Sequence, residues 1–192
     1  MIGHRDLAQV FERMFRRCSF PLRMSEGFHP KPKVSYPLAL ALGVEGQNEV
    51  MEVELTETIP AADIEAALAQ TAPEGLVIRD VTLLPEGHPK LHVDRVVYEM
   101  PIPAERCAAL QAEIERFCSC QSVPVMRNGR KQPIDLAAQV RSIALTDGNL
   151  QIELQVVQTA SARPAEIVAE LGVDDLLAQG HHLSRTQVEV AS

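Results

Sequence analysis

The residues able to do chemistry gather in the first 36 positions. Gly3-His4-Arg5-Asp6 stands near the start, and a second histidine, His29, lies in the stretch SEGFHPKPKVSYP at 25–37. Imidazole titrates near neutrality, so a histidine pair with a carboxylate has the parts for acid–base cleavage of RNA. His4, Asp6 and His29 would form such a set if the helix start and the loop met. The plainer reading is that His4 and Asp6 serve the helix start and His29 is a loop residue. A second constellation is basic and aromatic: Arg13, Arg16, Arg17, Arg23, Phe28, Lys31, Lys33 and Tyr36. Arginines beside exposed rings hold a phosphate backbone while a ring stacks on a base. The alternative is that both rings pack the loop onto the core and the lysines stay solvated. The chain has five phenylalanines, two tyrosines and no tryptophan, so rings concentrated in one loop region weigh in the choice. A third group, Arg127-Asn128-Gly129-Arg130-Lys131, is expected at a hairpin tip, where it would reach a phosphate or an acidic protein surface, or is simply a solvated turn.

Charge supports the basic reading locally and opposes it globally. The net charge is -8. Seven basic residues against Asp6, Glu12 and Glu26 leave residues 1–36 at +4, so the remainder carries -12. Residues 123–142 form a second positive island at +3. Such asymmetry predicts an electrostatically distinct face. No phosphate-cradling GxxxxGK loop, dinucleotide glycine fingerprint, HExxH or GxSxG motif occurs. Cys118-Ser119-Cys120 is too tight for a CxxC knuckle, and Cys18 and Cys107 stand apart, so reduced thiols are expected rather than metal ligands. His181-His182 is too isolated for a metal site. No cofactor is expected. No apolar run approaches the roughly 18 residues needed to span a bilayer, and the N-terminus lacks an apolar signal core. A cytoplasmic protein without membrane contact is the expectation.

The elements that must position these groups follow from periodicity. Residues 4–18 place Leu7, Val10, Phe11, Met14, Phe15 and Cys18 on one helical stripe. Arg13, Arg16 and Arg17 lie off it, and Pro21 ends the helical region. Residues 20–24 and 33–40 predict extended pieces around the proline loop. Residues 49–55 alternate as a strand, Pro60 opens a helix to about residue 71, and residues 76–84 predict another strand. Residues 85–89 predict a linker. The second half repeats the plan: a strand at 92–101, a helix at 104–117, and a strand at 122–127 ending in Asn128-Gly129. Strands at 134–145 and 149–157 follow, joined at Asp147-Gly148, then a helix from Pro164 and a strand at 186–190. The pattern predicts an α+β protein of two tandem ferredoxin-like, split β-α-β units. Their expected bounds are 1–86 and 90–192, and the first unit lacks its opening strand.

The run His4-Arg5-Asp6-Leu7, then Phe11-Glu12-Arg13, Arg16-Arg17, and Ser25-Glu26-Gly27-Phe28-His29-Pro30-Lys31-Pro32-Lys33-Val34-Ser35 resembles a bacterial family of radical-SAM-linked proteins, domain of unknown function 2344. Gly43-Val44, the Arg130-Lys131-x-x-Ile134-Asp135 run and Ser161-Ala162-Arg163-Pro164 extend the similarity over essentially the whole chain. The chain departs from that pattern at Gly3, His29 and Lys31, where serine, asparagine and histidine are usual. The strand expected before His4 is missing. Either the start is assigned too late, or the strand is lacking and a sheet edge is open to a partner. The resemblance implies a radical SAM protein encoded nearby or fused, often with a cobalamin-type domain, in a setting of ribosome and RNA metabolism. It makes residues 25–37 a preorganised recognition loop. Gly27 sets its bend, its prolines limit the entropy lost on binding, and Lys31 and Lys33 supply charge. The implied binding set is Arg5, Arg13, Arg16, Arg17, Ser25, Gly27, Phe28, Lys31, Lys33, Arg130, Lys131 and Arg163.

Three functions are compatible with the sequence. A non-catalytic module would bind RNA or a ribosomal component and present it to a partner radical SAM enzyme. An RNA-processing enzyme would use His4 or His29. An adaptor would bind protein alone.

Overall fold

A computed structural model describes residues 4–157 and 160–191. In chain order the elements are α1 (His4–Cys18), β1 (Val34–Ser35), β2 (Val44–Gly46), β3 (Glu52–Val53), α2 (Ala61–Thr71), β4 (His92–Pro101) and α3 (Ala104–Ser119). They continue with β5 (Pro124–Val125), β6 (Ile134–Asp135), β7 (Val140–Thr146), β8 (Asn149–Gln155), α4 (Pro164–Glu170), α5 (Asp175–Ala178) and β9 (Leu183–Ala191). The mixture is α+β, as the sequence predicts. The chain divides into two compact units. One comprises Ile2–Leu42 with Val50–Leu91, the other Gly43–Glu49 with His92–Ser192. The excursion of 43–49 into the second unit has no signal in the local pattern.

In the N-terminal unit, α1 carries the predicted stripe inward. Met14 and Phe15 are almost fully buried, and burying each such side chain stabilises by about 1.5–3 kcal/mol. The Phe15 ring lies 5.9 Å from Phe11 and 6.4 Å from Phe20, in tilted pairs. Ile64 and Leu68 of α2 complete that core. The Cys18 thiol donates to the Ala67 carbonyl at 3.4 Å. The helix α1 stops where Ser19 takes a left-handed φ of 54°, and Pro21 prevents its continuation. The strands here are short: β1 pairs antiparallel with β3 through Val34–Val53 and Ser35–Glu52.

Residues 76–84, expected as a strand, form none. Leu76, Ile78 and Val81 pack on the core, and the step from 78 to 81 breaks the period of two that a strand face requires. Val77, Leu83 and Leu84 are left exposed.

The C-terminal unit holds a five-stranded sheet in the order β2-β9-β4-β8-β7. All its neighbours are antiparallel except β2 with β9, which run parallel. The strand β8 alternates strictly, with Leu150, Ile152 and Leu154 buried. Leu110, Ile114 and Phe117 of α3 and Ile167 and Val168 of α4 are the buried side of the two helices. The β7–β8 hairpin turns at Asp147-Gly148, both at positive φ (51° and 73°), the requirement of the tight turn the dipeptide signals. The other predicted turn is also present: the Arg130 N–H donates to the Arg127 carbonyl at 3.1 Å beside Gly129. The strand expected at 122–127 shrinks to β5, paired only with β6.

Candidate functional site

The proline loop is a clamped hairpin. Arg23 N–H donates to the Glu54 carbonyl (2.8 Å), Glu54 N–H to Lys33 (3.1 Å), and Lys33 N–H to Arg23 (2.8 Å). Three chain segments are thereby tied in a ring. One step further out, Ser25 closes the loop twice. Its N–H donates to the Lys31 carbonyl at 2.7 Å, and its hydroxyl accepts from the Lys31 N–H at 3.0 Å. Met24 bridges to Pro32. Ser25, expected among the binding residues, is therefore placed to hold the loop closed. Residues 26–30 project beyond the clamp and are all exposed. Gly27 lies at φ 122°, a backbone conformation that other residues rarely adopt. Phe28 is fully exposed.

Between this hairpin and α1 opens a groove of about 510 Å³, within the range of ligand sites. Phe15, Phe20, Leu22, Met24, Pro30 and Pro32 form its apolar walls, and Glu12, Arg16, Ser19 and Lys31 its polar lining. Glu12 and Arg16 stand four residues apart on the helix, a spacing that favours a pair. Among the described residues neither makes an ion pair, nor does Lys31, Arg13 or Arg17. Lys33 differs. Its ammonium lies 3.6 Å from Glu54, which also meets Arg23 at 3.4 Å. Part of the charge assigned to Lys33 is thus neutralised in place.

The two aromatic rings separate. Phe28 projects into solvent, while Tyr36 packs against the α1–α2 core. Burial, followed by the nearby Glu12 carboxylate, pushes the Tyr36 phenol up to about 12. The other tyrosine, Tyr98, is also raised, chiefly by burial, with Arg185 opposing. A free phenol titrates near 10. Raised folded values mean that this contribution to stability is intact below about 10 and lost as pH climbs through the folded value. Tyrosinate absorbance at 295 nm is therefore expected to lag well behind free tyrosine. A half-developed signal at pH 10 in the folded protein would contradict it.

Of the acid–base constellation, the structure describes the side chains of Asp6 and His29. The His4 side chain lies outside the described residues. Asp6 is exposed in the first turn of α1, where a negative charge favours the helix. His29 is exposed and makes no hydrogen bond among the described residues. Arg5 is exposed on α1. Among the described residues no group of three His, Cys, Asp or Glu side chains is placed to hold a metal. All four cysteines are free thiols.

Arg130, Lys131 and Arg163 belong to the C-terminal unit, not to the unit that holds the groove. Arg130 and Lys131 are exposed at the hairpin tip. Arg127 beside them is turned inward, pairing with both oxygens of Glu166 at 2.6 Å and donating to the Ser161 carbonyl at 2.8 Å. Glu166 also accepts from the Arg163 N–H at 3.0 Å. Burial raises the Glu166 carboxyl, and these bonds outweigh it, leaving a net lowering. Arg163 therefore contributes its backbone to the start of α4, and its side chain is exposed.

One charged pair has no sequence signal. Arg185 on β9 is 1% exposed. Its Nε donates to Glu49 at 2.7 Å and its Nη2 to the other Glu49 oxygen. The Glu49 side chain folds back over Gly46, where a Cβ would sit 2.6 Å from Glu49 Cγ. Glu12 is the groove residue that the pattern of basic residues masks. Its position four residues before Arg16 is the one sign of it in the sequence.

The geometry describes an α+β protein whose N-terminal unit presents an apolar-walled groove lined by Arg16, Lys31 and Glu12 beside a hydrogen-bonded loop. The chain belongs to the family described as uncharacterized protein conserved in bacteria (DUF2344), whose model matches residues 1–164. No match is found among curated proteins. No helix among the described residues is long and apolar enough to cross a membrane.

Proposed function

We propose that this protein is a non-catalytic module that binds single-stranded RNA, or a ribosomal component containing it, and presents it to a partner radical SAM enzyme. The observation that carries the binding part is the groove. Arg16 and Lys31 line it without ion pairs among the described residues, and the exposed Phe28 ring stands on the same loop. Unpaired cations beside a free ring are the recurring parts of a sequence-tolerant single-strand site. The clamp formed by Ser25 and the backbone ring of Arg23, Lys33 and Glu54 holds the loop before any ligand arrives, which limits the ordering cost of binding. The presenting role rests on the sequence resemblance alone. A cytoplasmic setting accords with it.

The finer architecture we infer is two ferredoxin-like units. The order β9-β4-β8-β7 in the C-terminal unit supports it, since the split β-α-β plan gives that arrangement. The N-terminal unit, with two helices and short strand pairs, is read as a reduced copy.

Phe28→Ala tests the site directly. The ring is fully exposed, so the variant is expected to match the parent's stability within about 0.5 kcal/mol. Affinity for a short single-stranded RNA is expected to fall by about tenfold, the loss of one stacked base. Unchanged affinity in a fluorescence titration would remove Phe28 from the site. The presenting role is tested by a tagged pull-down from native cells, split with and without nuclease. Recovery of a radical SAM protein together with a defined RNA supports it, and recovery of neither overturns it.

A further inference from the structure

We propose that the groove of the N-terminal unit selects guanine from a single strand, with Glu12 as the reader. The inference deepens the RNA reading above and rests on it. Glu12 is the one carboxylate among the groove's polar lining, alongside Arg16, Ser19 and Lys31. It makes no hydrogen bond or ion pair among the described residues, although Arg16 stands at the favourable four-residue spacing. A phosphate-binding surface gains nothing from an acidic group, which repels the backbone. A base-binding surface does gain, because an ionised carboxylate offers two acceptor oxygens and no donor.

The unpaired edges of the four bases differ in what they show such a group. Guanine presents two adjacent donors, its ring N1–H and its exocyclic amine. Adenine and cytosine present one donor next to a ring acceptor, and uracil a donor flanked by two carbonyls. Only guanine matches both oxygens of Glu12 without placing an acceptor against one of them. Bases of a single strand are free to offer this edge. Phe20, Met24 and Pro30 supply an apolar wall for the base. Arg16 and Lys31 hold the adjoining phosphates. The volume of about 510 Å³ accommodates one nucleotide.

The test compares fluorescein-labelled octamers of uridine with one central guanosine, adenosine, cytidine or uridine, read by anisotropy. The guanosine octamer is expected to bind about tenfold more tightly than the others, the scale of a good bidentate base contact. In Glu12→Gln, whose amide offers one acceptor oxygen and one donor NH2 group, that preference is expected to vanish, while affinity for the all-uridine octamer rises because a charge that repels the backbone is gone. Equal binding of all four octamers by the parent protein would overturn the guanine assignment and leave RNA binding standing. So would a guanosine preference surviving in Glu12→Gln, or a preference for another base. Failure of every octamer to bind would overturn the RNA reading itself. Glu12 is exposed on α1, so Glu12→Gln is expected to melt with the parent.

Discussion

A Glu49→Ala chain is expected to lose about 3 kcal/mol of stability, among the largest effects of any single charge change in this protein. Arg185 is the reason. It is 1% exposed and cannot release its proton, so removing Glu49 leaves a buried cation without its partner carboxylate. The Glu49 side chain is 25% exposed, which lets water enter the vacated space and places the loss at the lower end of the range for broken buried pairs. The reverse change, Arg185→Met, is expected to cost less. It leaves a carboxylate that water already reaches, and it removes a hydrogen bond to Tyr98. Replacing both partners by apolar residues is expected to recover most of the loss. For a chain of 192 residues the Glu49→Ala loss corresponds to a fall in Tm of about 10 °C, measurable by circular dichroism. The same variant is expected to speed amide exchange in β2, because the Glu49–Arg185 pair and the parallel register of Val44–Gly46 on Leu183–Arg185 hold that strand. A Glu49→Ala melt equal to the parent's would show that the pair contributes nothing.

That pair also marks the limit of what the sequence tells. Residues 49–55 alternate as a strand, and periodicity alone assigns Glu49 to its start. In the folded chain Glu49 leaves that pattern, reaches β9, 136 residues away, and only Glu52–Val53 forms ladder. No local periodicity encodes a pairing of that range. The helix α1 is legible to the residue because its apolar stripe and the Pro21 stop are both local. The strand β4 is legible for a related reason: its three valines and a tyrosine, set between Pro89 and Pro103, are a local composition that needs no distant partner to be recognised. Residues 76–84 show the opposite case. Their composition is that of a strand, yet strand formation needs a neighbour for its N–H and C=O groups. The site divides in the same way. The cluster of basic residues and the proline-bearing loop are compositional and can be read. The groove is a tertiary product of α1 meeting the hairpin, so the roles of Glu12, Met24 and Phe20 emerge only when the two are placed together.

Replacing Arg13, Arg16 and Arg17 together by alanine is expected to weaken single-stranded RNA binding and flatten its salt dependence. At 100° per residue the three side chains span one face of α1 about 100° wide, next to the groove. All three are exposed, and none forms an ion pair among the described residues. Each phosphate neutralised on a single strand contributes about 0.7 to the slope of log K against log salt. If each arginine neutralises one phosphate, removing the three lowers the slope by about 2. The change is not expected to unfold the helix. Alanine has the higher helix propensity, which offsets the favourable placement of Arg16 and Arg17 in the last turn, worth about 0.3–1 kcal/mol each. Stability and affinity should thus separate, with melting nearly constant while binding drops by orders of magnitude at low salt. The acidic remainder of the chain, at -12, sharpens the contrast, since with the arginines gone little is left to offset its repulsion of a polyanion. A slope that does not change on removing all three arginines would sink the RNA assignment. Binding of the partner enzyme that survives nuclease and ignores these changes would make the protein an adaptor for protein alone.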